Sequence, residues 1–266
     1  MPQIIRKFGS SNHSAMKLIY FSPTRTSKKV VKAISKAWPL PGDNIDITRG
    51  LDTPIALDED EISIIGVPVY SGRIPLNAEQ ALRHITGKNS PVITVVVYGN
   101  RAYDDALLEL NNLCEEQGFN VVASGAFIGT HSLDETIAPN RPNEIDRDIA
   151  YNLGLTVKAN LENFKKRPLK VKGHYPYKER KKFPFYPIAD ENCDECGQCI
   201  KQCPTGAISV DDVNIVDVER CIACMRCAQK CPQNARKLNL DPDKLAAFQA
   251  SLREKCAGYK EPEIYI

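Results

Sequence analysis

The sequence predicts an α/β protein: a five-stranded parallel sheet with helices on both faces, followed by a small α+β unit organised by cysteines. Three observations carry this. From residue 16 to about 166, short apolar runs alternate with amphipathic helical stretches, the pattern of strands joined by crossover helices. Eight of the ten cysteines then fall within residues 193–231, in two copies of one motif. Between these regions, residues 167–190 mix lysine, proline and aromatic side chains and read as a connector.

The elements follow in chain order. Residues 1–15 carry no apolar core and read as a disordered extension or remnant, with Met16 a candidate start. Lys17 to Phe21 is an apolar run. It stops at Ser22-Pro-Thr-Arg-Thr-Ser27, after which Val30, Val31, Ile34 and Ala37 recur at helical spacing. Asn44 to Thr48 alternates as a brief strand. Glu61 to Val67 is a buried-type strand running into Pro68-Val-Tyr-Ser-Gly-Arg73. Asn77 is placed to cap a helix presenting Ala78, Ala81, Leu82 and Ile85 and closed by Gly87. Val92 to Val97 is a further buried strand, ending in Tyr98-Gly-Asn-Arg-Ala-Tyr103. Asp104 then starts a helix that Gly118 ends. Phe119 to Ile128 reads as a fifth strand, and Glu144 to Phe164 as a helix after Arg141-Pro142.

In such sheets ligands sit beyond the carboxyl ends of the strands, where the strand order reverses. Three loops leave strand ends there. Ser22 to Ser27 offers hydroxyls, backbone N–H groups and the positive end of a helix, which suits a phosphate as well as it suits a capped helix start. Pro68 to Arg73 and Tyr98 to Tyr103 each offer a tyrosine, a glycine and polar backbone.

The cysteines read Cys193-x-x-Cys196-x-x-Cys199-x-x-x-Cys203-Pro204 and Cys221-x-x-Cys224-x-x-Cys227-x-x-x-Cys231-Pro232, superposing at an offset of 28. Two copies of this run are the ligand pattern of two [4Fe–4S] clusters, in which each fourth cysteine serves the other cluster. Cluster 1 takes Cys193, Cys196, Cys199 and Cys231; cluster 2 takes Cys221, Cys224, Cys227 and Cys203. A disulfide framework suits a small secreted domain, which this is not. Paired zinc sites separate their C-x-x-C pairs by a longer stretch and do not need the Cys-Pro ending twice. This region, 191–240, resembles bacterial ferredoxins.

Residues 16–166 resemble flavodoxins. The first loop is similar to the flavodoxin phosphate run Ser/Thr-x-Thr-Gly-x-Thr, with Arg25 where glycine is usual, and the other two loops occupy the places of those that sandwich the isoalloxazine ring. The resemblance implies a strand order of 2-1-3-4-5 and bound FMN. Ser22, Thr24, Arg25, Thr26 and Ser27 would lie at the phosphate. Pro68, Val69, Tyr70, Ser71 and Gly72, with Tyr98, Gly99, Asn100, Arg101 and Tyr103, would lie about the ring. The two parts together resemble flavodoxin–ferredoxin fusion proteins common in anaerobes such as clostridia. Their signature looks like Phe-Ser-Pro-Thr-x-Thr, Pro-Val-Tyr-x-Gly-Arg and Tyr-Gly-Asn-Arg-Ala-Tyr, all present in this chain.

Composition bounds the function. The 266 residues carry a net charge of +2, too balanced for a nucleic-acid partner, and the longest apolar run, Val92 to Tyr98, cannot span a bilayer. No secretory leader is visible, so the expected location is cytoplasmic. The connector holds seven basic and two acidic residues; it reads as an interdomain linker, or as a basic docking strip for an acidic partner. Ile200, Ile208, Ile215 and Ile222 are expected to shield the clusters. In residues 241–266 a helix from Lys244 to Lys255, with Leu245, Phe248 and Leu252 on one side, precedes a tail. Cys114 reads as core and Cys256 as an incidental thiol. His131 and Arg141 could reach the flavin or a phosphate, but as readily serve their own loops. The expected function is electron transfer through two [4Fe–4S] clusters and FMN to redox partner proteins. Two alternatives are a flavin-dependent reductase of a small-molecule acceptor, fed by its own ferredoxin part, and a module of a larger redox complex. No GxGxxG fingerprint follows a strand, which argues against a built-in nicotinamide site.

Overall fold

A computed structural model describes residues 15–39, 41–163 and 168–266; the expected N-terminal extension lies outside them except for Ala15, which opens the first strand. The first region runs β1 (Ala15–Tyr20), α1 (Thr26–Ser35), β2 (Asp43–Asp46), β3 (Ile55–Leu57), β4 (Glu61–Pro68), α2 (Leu76–Leu82), β5 (Ile85–Gly87), β6 (Pro91–Tyr98), α3 (Ala106–Glu116), β7 (Asn120–Ile128) and α4 (Glu144–Asn160). β1, β2, β4, β6 and β7 form the parallel sheet, in the order β2-β1-β4-β6-β7. Numbered by their own succession, these strands stand 2-1-3-4-5, the flavodoxin-like arrangement. Strand order reverses beside β1, so the open ends of β1 and β4 face the crevice that such sheets use for ligands.

β1, β4, β6 and β7 are buried on both faces, which is why they read as continuous apolar runs, while the edge strand β2 is largely exposed. Alternate residues serve opposite faces. Ile19, Ile65, Val67 and Val96 pack with Ala78, Leu82, Leu107 and Leu110 of α2 and α3. Leu18, Tyr20, Ile64 and Val95 pack with Val31, Ile34, Leu153 and Val157 of α1 and α4. Each such side chain, fully buried, stabilises the fold by about 1.5–3 kcal/mol before entropy is counted.

Several local expectations shift. The N-cap position of α2 is Pro75, not Asn77, and no side chain caps it. The Pro75 carbonyl accepts from the Ala78 and Glu79 N–H groups, which closes the first turn without a side-chain cap. Ile85 and Gly87 leave that helix and pair as β5 with β3 in a separate two-stranded parallel sheet. For α3 the N-cap is Asp105, one residue beyond Asp104, and its carboxylate accepts from the N–H groups of His174 and Lys178. α4 ends at Asn160 and passes into a 3-10 turn, Leu161–Asn163; Phe164 lies outside the described residues.

The second region holds β8 (Pro187–Ala189), α5 (Gln198–Gln202), α6 (Arg226–Gln229) and β9 (Arg236–Leu238), with β8 antiparallel to β9. The sequence repeat is also a backbone repeat. Glu195 and Ala223, Gly197 and Met225, and Gly206 and Asn234 are left-handed pairs. The expected hairpin between the cysteine runs is reduced to one bridge, Ile208 with Val216.

α7 (Pro242–Lys255) and β10 (Glu263–Tyr265) complete the chain. β10 returns to the first sheet and pairs antiparallel with β7, where a loose tail was expected. The connector is bound along its length. Arg180 engages Glu79 and Glu109, Lys178 engages Asp104, Lys182 engages Glu219, and the Arg73 guanidinium lies 4.8 Å from the Tyr177 ring centroid. With Lys178, Arg180 and Lys182 paired to acids elsewhere in the chain, the segment is fastened as a strap.

Candidate functional site

The first loop is shaped by three hydrogen bonds. The Ser22 N–H donates to Thr48 Oγ1 at 2.9 Å, Ser22 Oγ accepts from the Lys28 N–H at 3.1 Å, and the Arg25 N–H donates to the Ser22 carbonyl at 3.2 Å. Arg25 stands at the helix N-cap with φ 67, the left-handed region where glycine is most at ease, and its side chain is exposed. So arginine meets the backbone demand and leaves the inside of the loop clear. The N–H groups of Thr26 and Ser27 find no acceptor among the described residues, and Ser27 Oγ is fully buried without a partner. Unspent donors at a helix N-terminus are what a phosphate dianion satisfies.

The second loop is a two-residue turn. The Tyr70 N–H donates to the Arg73 carbonyl at 2.9 Å and the Arg73 N–H returns to Tyr70 at 3.1 Å, around Ser71 at φ 53 and Gly72 at φ 84. Both central residues at positive φ define the I′ type, and a Cβ on Gly72 would stand 2.1 Å from Asp104 Oδ2. Arg73 is spent on buried Glu109, so it orders the loop.

These loops, with the ends of β6 and β7, enclose a cavity of about 240 Å3. From the sheet side Thr24, Thr26, Pro68, Val69, Tyr70, Ser71, Gly72, Tyr98, Gly99, Arg101, Gly129, Thr130 and His131 line it. Of the residues proposed for a flavin, Ser22, Arg25, Ser27, Asn100 and Tyr103 stand off its wall. Asn100 donates to the carbonyls of Cys256 and Gly258, and the Tyr103 hydroxyl bonds Glu263 and Tyr265. Both side chains fasten the C-terminal tail and so hold α7 and β10. Arg141 is likewise spent, paired with buried Asp146 and set against the Tyr259 ring.

His131 lies across the cavity from the loops, its ring against Gly99. Its Nδ1 accepts from the Leu133 N–H at 3.2 Å, which leaves the neutral ring's proton on Nε2. Burial holds the imidazole below its ordinary pKa, against the pull of Asp134. Burial also pushes the Tyr70 hydroxyl well above the usual phenol range and Tyr98 up to about 12, so both stay neutral.

The remaining wall comes from outside the sheet region: Phe183 of the connector, Phe248 and Leu252 of α7, and Ile222 and Ala223. Phe183, Phe185 and Phe248 form an aromatic cluster with centroids 5.5–5.9 Å apart, a roof that the apolar side of α7 completes. The sequence signal for this role is Phe248 and Leu252 on one side of a helix that buries no side chain fully.

None of the ten cysteines forms a disulfide. Cys203, Cys221, Cys224 and Cys227, the set expected for cluster 2, line one cavity. No three of the described thiols, imidazoles and carboxylates converge at single-ion distance. Four cysteines round one void are the donor set of a cuboidal cluster. The Ala207 N–H donates to Cys203 Sγ, and 28 residues on, the Ala235 N–H donates to Cys231 Sγ, both at 3.2 Å. Burial pushes the Cys224 thiol up to about 12 and Cys227 up to about 11, so iron must drive their ionisation. Of Cys193, Cys196, Cys199 and Cys231, the set expected for cluster 1 and called the outer set below, Cys196 is exposed and Cys199 buried. Ile208 is buried beside the inner set, but Ile215 is 60% exposed and shields neither.

The two regions meet at the inner set. Ile222 and Ala223, between Cys221 and Cys224, line both the cysteine cavity and the strand-end cavity. Arg226 of α6 donates to the Pro23 carbonyl of the first loop at 2.7 Å, and Arg49 reaches the Lys201 carbonyl of α5.

Residues 192–236 match the family model of a 4Fe-4S dicluster domain. No curated protein matches the chain. Among solved structures, a flavodoxin from the domain Archaea is 13% identical over 56% of this chain and 99% of its own, at a TM-score of 0.39. A metal-soaked flavodiiron core from Synechocystis sp. is 16% identical over 56% of this chain and 36% of its own, at a TM-score of 0.38. The strand order carries the fold of the first region, and the family match that of the second. Among the described residues no helix is long and apolar enough to cross a membrane.

Proposed function

With a flavodoxin-like sheet joined to a 4Fe-4S dicluster unit as the premise, we propose that the chain is an electron-transfer iron–sulfur flavoprotein. It holds two [4Fe–4S] clusters and FMN and carries electrons between a redox partner protein and the flavin. The domain limits proposed are 16–166 for the flavin-binding part, 167–190 for the connector and 191–240 for the dicluster part, with 241–266 as a helix and tail that close the flavin pocket. The observation that carries this reading is the shared wall: Ile222 and Ala223 line both the cavity of the inner cysteine set and the strand-end cavity.

The clusters supply single electrons and the flavin accepts one or two, which joins one-electron carriers to two-electron chemistry. The chain's own residues do the rest. Thr24, Thr26 and the N–H groups at the start of α1 hold the phosphate. Tyr70 and Tyr98 flank the ring, and His131 offers its Nε2–H into the cavity. Phe183, Phe248 and Leu252 exclude water from above. The exposed Cys196 end faces a partner, while the buried end faces the flavin. That roof favours a carrier over a reductase of small molecules, since a substrate would need a path that the aromatic cluster occupies.

The test is cofactor content of anaerobically prepared protein. Two clusters and one flavin give about eight irons, about eight sulfides and about one FMN per chain. Iron without flavin would overturn the reading of the sheet region, and flavin without iron that of the cysteines.

A further inference from the structure

The internal repeat of the dicluster unit runs past the ligands. Cys203-Pro-Thr-Gly-Ala-Ile208 aligns with Cys231-Pro-Gln-Asn-Ala-Arg236 at the same offset of 28. The alanines stay equivalent, both buried, each with its N–H on the sulfur four residues back. At the next position the symmetry breaks, with Ile208 5% exposed and Arg236 4% exposed. An aliphatic side chain and a guanidinium occupy matching places.

Arg236 is a buried cation without an anion. Its two Nη atoms donate to the carbonyls of Val213 and Pro187, its Nε has no acceptor, and no carboxylate among the described residues pairs with it. A guanidinium does not shed its proton inside a protein, so it cannot escape the cost of burial by neutralising. Removing such a charge from water is expensive unless a counter-charge is near. The side chain lies on the wall of the cavity formed by Cys203, Cys221, Cys224 and Cys227. Four thiolates outweigh the charge of a four-iron core, so a loaded cluster is the anion that this arrangement lacks.

We propose that Arg236 is the internal counter-charge of the dicluster unit, directing its free Nε–H at the inner cluster and raising that cluster's reduction potential relative to the outer one. The inference rests on the two-cluster reading above. Reduction adds one electron and no proton, so the inner site becomes more negative by one charge while Arg236 stays fixed. The reduced form is therefore stabilised more than the oxidised form. Coulomb attraction falls with distance, so the outer potential rises too, by less. An electron delivered to the exposed cluster by a low-potential one-electron donor is then drawn to the cluster beside the flavin pocket. Two near-identical motifs become a directed pair through one substitution in the repeat.

The test uses the full chain with both cofactor types, prepared without air, in the wild type, Arg236→Ile and Arg236→Lys. Isoleucine is the residue of the other half, while lysine keeps the charge and loses the fork. Iron and sulfide are counted first; then each cluster is titrated with dithionite and followed by electron paramagnetic resonance, the inner signal being the one lost in Cys224→Ser. In Arg236→Ile the reduced-to-oxidised ratio of the inner cluster at a fixed potential should fall at least about tenfold, the equivalent of about 59 mV for one electron, and that of the outer cluster by less. Arg236→Lys should stay near the wild type. If Arg236→Ile does not load iron, Arg236→Gln, which keeps donors without charge, carries the same expectation. A fully loaded uncharged variant whose two potentials are unchanged, or shift equally, overturns the proposal. A wild type without about eight irons overturns the two-cluster reading itself, and this proposal with it.

Discussion

The sheet region and the dicluster unit reach stability by different means. The first buries large aliphatic and aromatic side chains on both faces of five strands, with Ile19, Ile64, Ile65 and Phe127 almost wholly out of water. The second buries mainly its own ligands: Cys199, Cys203 and Cys227 make up half of its central cluster, beside only Ala207, Ile208 and Val213. Hydrophobic area sustains one part; the other lacks enough of it and depends on iron for much of its folding free energy. Where a region's core consists of ligands, its stability and its function cannot be separated.

That contrast can be broken at several points. The largest effect should follow iron removal. Anaerobic chelation should abolish hydrogen-exchange protection across 191–240 and leave β4 and β6 protected; retained protection in the dicluster unit would erase the distinction. Next, Phe127→Ala should cost the sheet region about 3–5 kcal/mol in denaturant titrations while the iron content of folded protein stays full. A smaller change, Gly72→Ala, sets a Cβ against Asp104 in a residue at φ +84 and should cost about 1–3 kcal/mol. Its readout is weaker flavin binding, by fluorescence quenching, with unchanged cluster absorbance. The smallest effect is a titration. Burial lowers the folded pKa of His131, so folding favours the neutral ring and loses stability only as pH falls from the ordinary value of 6.5 toward the folded one. By nuclear magnetic resonance His131 should remain mostly neutral at pH 6.5, where a free histidine is half protonated.

The sequence was most legible where chemistry is local. Cysteine spacing expresses the shape of the cluster, and the dicluster match over residues 192–236 covers all eight positions. Strand ends and their loops were legible because buried parallel strands leave long apolar runs bounded by turn residues. Long-range pairing was not. β10 rests on Tyr103 and on a register with Ala126 to Ser124, none of which the tail itself encodes. Three of the connector's cations find acids some 37–101 residues away, so a basic segment looked free when much of it was matched. Arg236 could have been found by laying the two halves over each other beyond the last cysteine. Ile215 shows the converse, an isoleucine in a plausible place that the missing hairpin leaves in water.

The central claim is that electrons reach the strand-end pocket through the inner cysteine set. Rapid-mixing reduction of Cys224→Ser, with its flavin still bound, tests this most directly when a reduced redox protein is the donor and absorbance follows the flavin. The rate should fall at least about a hundredfold below wild type, with small-molecule dithionite still reducing the flavin. An unchanged rate from the protein donor would contradict it.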